Sequence, residues 1–238
     1  MIKQKLFKEL EDATGKFGSL DRFDINPSSS LYKNTKPLKN ITIKELLAKN
    51  GSSIDALNLE MKNAVESFGV GTREAPVAAA MVLHETLARY GYHLYYRWGG
   101  KHYKVGVNGS WGANIGSTSL CTSVPHPNPS YCLSEFKYSG LDCSGFVNWA
   151  LIQGFQSKNI PSHATTTRGS ISLRGAKTAI CNVGDTLVND VHITLVAKLD
   201  DKNKRYIIIE DTGSHGMRLS TVPYNTSAYN CGKVSYKN

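Results

Sequence analysis

The chain has 238 residues, of which 40% are hydrophobic and 20% charged, a composition that excludes disorder and collagen and suffices for one generous domain or a domain with an extension. No run approaches the ~20 consecutive apolar residues that a bilayer span requires. The opening MIKQKLFKELEDATG carries charge where a secretory signal has an apolar core, so the chain is expected to be intracellular or cut from a longer one. Lys and Arg number 28 against 19 Asp and Glu, a formal charge of +9 that favours anionic surroundings. The basic residues are scattered and no zinc-finger, RNP-like or bZIP pattern occurs, so nucleic acid is not expected as a partner.

Residues 1–40 read as a short helix followed by an irregular arm that ends near SSSLYKNTKPLKN. Thr42 can cap IKELLAKNG, and Ser53 can cap a helix whose Ile54, Leu57, Met61, Ala64 and Phe68 recur at the spacing of one buried face. A third helix is predicted from Pro76, favourable in a first turn, to Gly91. The chain then turns aromatic and glycine-rich, YHLYYRWGGKHYKVGVNGSWG, before the loop CTSVPHPNPSYC. Residues 143–154 place Phe146, Val147, Ala150 and Leu151 on one helical face, with Gly154 as the stop, so Cys143 falls in a first turn. The remainder predicts an antiparallel sheet from GDTLVND, HITLVAKLD, RYIIIED and MRLSTVPY, with DDKNK as a hairpin.

Five cysteines, at 121, 132, 143, 181 and 231, suggest one free thiol and four that pair. If Cys143 is the free one, the other four allow three pairings, of which Cys121 with Cys132 is the simplest. Such pairing implies an oxidising, extracellular setting. No CxxC pair starts a zinc site, and no metal is expected.

A cysteine attacks as its thiolate, which the unpaired N–H groups of a helix N-terminus stabilise. Cys143 has that placement, with Asp142 and Ser144 polar beside it and Gly145 allowing close approach. The thiol needs an imidazole to take and return its proton. Of seven histidines, His192 opens a strand directly after the GDTLVND segment; its side chain is expected on the helix-covered face, in one column with Thr194 and Val196. Glu210, at the end of the next strand, is expected to orient the ring, with Asp211 and His215 in reserve.

Three blocks in order, YRWGG at 96–100, DCSGFV at 142–147, and GDTLV followed by HITLV at 184–196, resemble the NlpC family of papain-like cysteine peptidases that trim bacterial peptidoglycan. The resemblance spans roughly residues 75–220 and divides the chain into an N-terminal helical extension, 1–70, and a peptidase domain, 71–238. It implies an α+β papain-like fold, a cysteine-bearing helix packed on an antiparallel sheet, with no metal or cofactor. It further implies Cys143 as nucleophile, His192 as general base and acid, and Glu210 in the place of the third polar residue. Tyr96 then helps shape the oxyanion region with the backbone N–H of Cys143, and Asp142, Ser144 and Trp98 line the same region. The implied substrate is the stem peptide, cut between D-glutamate and a diamino acid, with anionic wall polymers as partners of the positive charge. A cell-wall amidase, an acyl transferase or a non-catalytic wall-binding module are the competing expectations. The implied location is extracellular or in the cell wall, as part of a longer protein or as a phage or mobile-element product. Residues 101–141 form a longer insertion than the family commonly has and are expected to cover or extend the substrate groove.

Overall fold

The computed structural model describes residues 19–113, 140–158, 160 and 180–237. The helix expected before residue 19, Cys121, Cys132, His126, His163 and most of the 101–141 insertion lie outside the described residues. The protein is α+β: among the described residues, four α-helices accompany a five-stranded antiparallel sheet.

Helix α1 (Ile43–Lys49) begins with the expected Thr42 cap, closed by Glu45 into a reciprocal capping box. Helix α2 (Ile54–Phe68) starts at the Ser53 cap and buries Leu57, Met61, Ala64 and Val65. Helix α3 spans Glu74–Arg89, so Pro76 lies inside its first turn, where its missing N–H costs no hydrogen bond. Two short strands, β1 (Lys36–Pro37) and β2 (Tyr92–His93), pair in parallel around it.

Helix α4 (Cys143–Phe155) is the centre of the molecule: every residue from Cys143 to Gly154 is buried. The expected single apolar face is therefore too narrow a description. The α3 helix covers one side and the sheet another, while a strap of chain, 101–109, crosses beside them. Trp149 Nε1–H donates to the Gly106 carbonyl at 3.0 Å, and Gln153 receives the Gly106 N–H at 2.6 Å and donates to the Lys104 carbonyl at 3.1 Å. Gly154 is not the stop. It is glycine because a Cβ there would strike the Pro76 ring, and the helix ends one residue later, at Phe155, with Gln156 left-handed at φ 49°.

The sheet runs in the order β6 (Gly216–Pro223), β5 (Arg205–Thr212), β4 (Ile193–Asp200), β3 (Thr186–Val188), β7 (Asn230–Gly232). One face, with Val188, Ile193, Leu195, Ile207 and Ile209, joins the helices in a core that extends from Phe23 to Val234. The other carries Leu187, Val196, Tyr206, Ile208 and Val222 around a Cys181–Cys231 disulfide. Asp185, fully buried, ties the sheet to α3: it accepts from Arg73 at 2.9 Å and from Lys233 at 2.8 Å.

Candidate functional site

Asp142 is the N-cap of α4, its carboxylate accepting the Gly145 N–H at 2.6 Å, so Cys143 becomes the first residue of the helix. The segment 96–100 lies alongside: Tyr96 bridges Leu141, the Arg97 N–H donates to the Leu141 carbonyl at 2.9 Å, and the Asp142 N–H donates to the Gly100 carbonyl at 3.0 Å. The approach is so close that a Cβ on Gly145 would collide with the Gly100 carbonyl oxygen, and one on Gly100 with the Gly140 carbonyl oxygen, which is why both positions are glycine. This packing brings the WGG and DCSG segments together. Cys143 is the free cysteine among the described residues and is 5% exposed.

His192 stands near enough to Cys143 for the thiol to act on the imidazole through its charge and hydrogen-bonding capacity. Its Nε2 stands 2.8 Å from Glu210 Oε2. Glu210 Oε1 accepts from Arg218 Nε at 2.9 Å and from Ser220 Oγ at 2.8 Å. Burial by itself would depress the imidazole, but its hydrogen bonds to Cys143 and Glu210 and the negative charge of both override this and raise it to about 9. Glu210 is pulled the other way: burial pushes it up, yet the hydrogen bonds from His192 and Ser220 and the two cations hold it below its usual value.

The column expected for His192 is on the other side of the sheet. Thr194 pairs with Leu187, and Val196 packs with Ile208 and Tyr206, away from α4. Glu210 shares that face with Ser220 and Arg218, since Glu210 stands opposite Arg218 and Ile208 opposite Ser220. His192 meets both Cys143 and Glu210 because it precedes the first paired residue, Ile193, at the end of the strand.

Of the three candidates for the orienting group, Glu210 is the one bonded to His192. Asp211 points to the opposite face, is fully buried, and neither carboxyl oxygen has a hydrogen-bond partner. Burial first, then the charges of Cys143, Asp142 and Glu210, hold its carboxyl well above the usual range. His215 bonds Ser214 at 2.6 Å in the exposed β5–β6 turn. Tyr96 is half-buried, its ring beside Gly213 of that turn, and Trp98 is half-buried in the same segment. Asp142 and Ser144, which flank Cys143 in the chain, are both buried.

Three parts of the arrangement were not foreseen: Arg218 and Ser220 on Glu210, the buried and unpartnered carboxyl of Asp211, and Lys101, whose Nζ lies 2.6 Å from Asp142 Oδ1. The first was detectable, since residues two apart on a strand share a face. Among the described residues the cluster with spacing suited to a metal is Cys181, Asp185 and Cys231, and its two sulfurs are bonded to each other. No helix among the described residues is long and apolar enough to cross a membrane. Comparison with family models, curated proteins and solved structures finds no match to this chain.

Proposed function

We propose that this protein is a papain-like cysteine peptidase of the NlpC type that hydrolyses peptidoglycan stem peptides between D-glutamate and a diamino acid. The observation that carries the reading is the grouping of thiol, imidazole and carboxylate: a free thiol at a helix N-terminus, His192 near enough for the thiol to raise its imidazole, and Glu210 bonded to His192 Nε2. The substrate and family are carried by the YRWGG, DCSGFV and GDTLV–HITLV blocks. The disulfide fits an oxidising, extracellular or cell-wall location.

In this mechanism His192 takes the Cys143 proton, and Glu210 holds the imidazolium so formed. The sulfur forms a bond to the scissile carbonyl carbon, and the oxyanion is stabilised by the backbone N–H of Cys143 in the neighbourhood of Tyr96. His192 returns the proton to the leaving amine as the C–N bond breaks. Water, deprotonated by the same imidazole, then cleaves the thioester. Replacing Cys143 with Ala should abolish peptide release from purified sacculi while leaving the fold intact; unchanged release would end the proposal. Mass spectrometry of the products distinguishes the amidase alternative, which frees the lactyl-linked alanine. The formal +9 charge supports attraction to anionic wall polymers, and wall association should weaken as salt is added.

A further inference from the structure

Lys101, the residue after the paired glycines, is 9% exposed. Its ammonium lies 2.6 Å from Asp142 Oδ1 and 2.5 Å from Ser144 Oγ, the residues that flank Cys143, both buried. Ser144 Oγ in turn donates to Asp142 Oδ1 at 3.0 Å, and Asp142 Oδ2 accepts the Gly99 N–H at 3.0 Å. Burying an ammonium is costly unless it is paired and hydrogen-bonded, and here it is both.

Helix capping alone does not require this cation. An asparagine caps a helix about as well as an aspartate, because the cap is made by the side-chain oxygen. What the aspartate adds is a negative charge one residue from the sulfur, where it opposes a thiolate. Three groups are anionic in the reactive state, the Cys143 thiolate, Asp142 and Glu210; Asp211, whose carboxyl their charges and its burial push up, is near them, and Tyr229 stands edge-on to His192. The matching cations are His192, Arg218 and Lys101. His192 is committed to the sulfur and Glu210, and Arg218 to Glu210. Among the described residues, Lys101 is the cation on Asp142.

We propose that Lys101 is a positioning residue of the cysteine site, holding Asp142 as the cap of α4 and cancelling its charge beside Cys143 so that the helix N-terminus favours the thiolate. The inference rests on Cys143 being the nucleophile, but its test needs no substrate. The rate of iodoacetamide alkylation at Cys143, read by peptide mass spectrometry at pH 7 and pH 10, is compared for the parent, K101M, D142N and K101M/D142N. K101M should react roughly tenfold more slowly at pH 7, the low end of what one neighbouring charge does to an ionisation, and at the parental rate at pH 10. D142N should be at least as fast as the parent at pH 7. The double variant keeps an oxygen to cap the helix and removes both buried charges, so it should react within about threefold of the parent. The proposal is overturned if K101M matches the parent at pH 7, if it is slowed equally at both pH values, or if the double variant is as slow as K101M. Should K101M fail to fold, the double variant decides alone, a tenfold loss in it refuting the role. Normal thiol behaviour without peptide release from sacculi would refute the substrate and leave this role standing.

Discussion

Replacing Glu210 with Gln tests the site where its hydrogen bonding is most constrained. Two carboxylate oxygens serve three donors, His192 Nε2–H at 2.8 Å, Arg218 Nε–H at 2.9 Å and Ser220 O–H at 2.8 Å. An amide of the same shape offers one oxygen and two N–H donors. If its NH2 faces His192, Nε2 must become an acceptor and the ring proton moves to Nδ1, so the charged ring is no longer held. If it faces Arg218, two donors oppose each other. The magnitude follows from the imidazole. Its rise from 6.5 to about 9, against burial, corresponds to roughly 3 kcal/mol of preference for the charged ring. Cys143 and Glu210 share that preference, so losing the carboxylate should lower the midpoint by more than about one pH unit. A raised imidazole contributes stability that is fully present below 6.5 and lost as pH rises through about 9. In E210Q that window should close at least about one unit earlier. The assay is NMR titration of the His192 ring, with the alkaline limb of kcat/KM on a defined muropeptide as the functional counterpart. A ring that still titrates near 9 in E210Q would refute the reasoning.

Other parts of the structure give further expectations. Removing the Cys181–Cys231 bridge as the double serine variant opens a loop of 50 residues, which chain entropy values at about 4 kcal/mol; calorimetry should show a fall in Tm of roughly 10 °C, and an unchanged Tm would deny the bridge. Asp211→Asn should raise stability at pH 7, because burial makes the folded carboxyl hold its proton more tightly than the unfolded one, which releases it above about pH 4, so the parent loses stability as pH rises past that point and the variant does not. Denaturant midpoints that fall together with pH in both proteins would contradict this. Gly145→Ala drives a methyl into the Gly100 carbonyl and should cost roughly 3 kcal/mol or more together with most activity, whereas Gly91→Ala, which meets no neighbour, should cost only its backbone strain at φ 78°. Equal denaturation curves for the two variants would count against the close approach.

Much of the fold was legible because its signals are local. Thr42 and Glu45 cap α1 three residues apart, Ser53 precedes a period of three to four, and Asp142 stands immediately before Cys143; each acts within one helical turn. The strands β4 to β6 announced themselves by β-branched alternation and a polar turn, whereas β7 is three residues long, too short for periodicity to register. The thiol and the strand histidine were likewise readable from their places at element starts. Tertiary structure decided everything that joins residues distant in the chain. Glu210 rather than Asp211 meets the imidazole because the register of β5 on β6 sets it beside Arg218 and Ser220. Gly154 is a contact with Pro76 rather than a helix stop, and Cys181 finds Cys231 because β3 and β7 pair. Lys101 reaches Asp142 from 41 residues away. Such partnerships depend on how buried elements cross, and local propensity carries no information about crossing geometry. The sequence by itself determined which groups could do the chemistry; packing determined which of them meet.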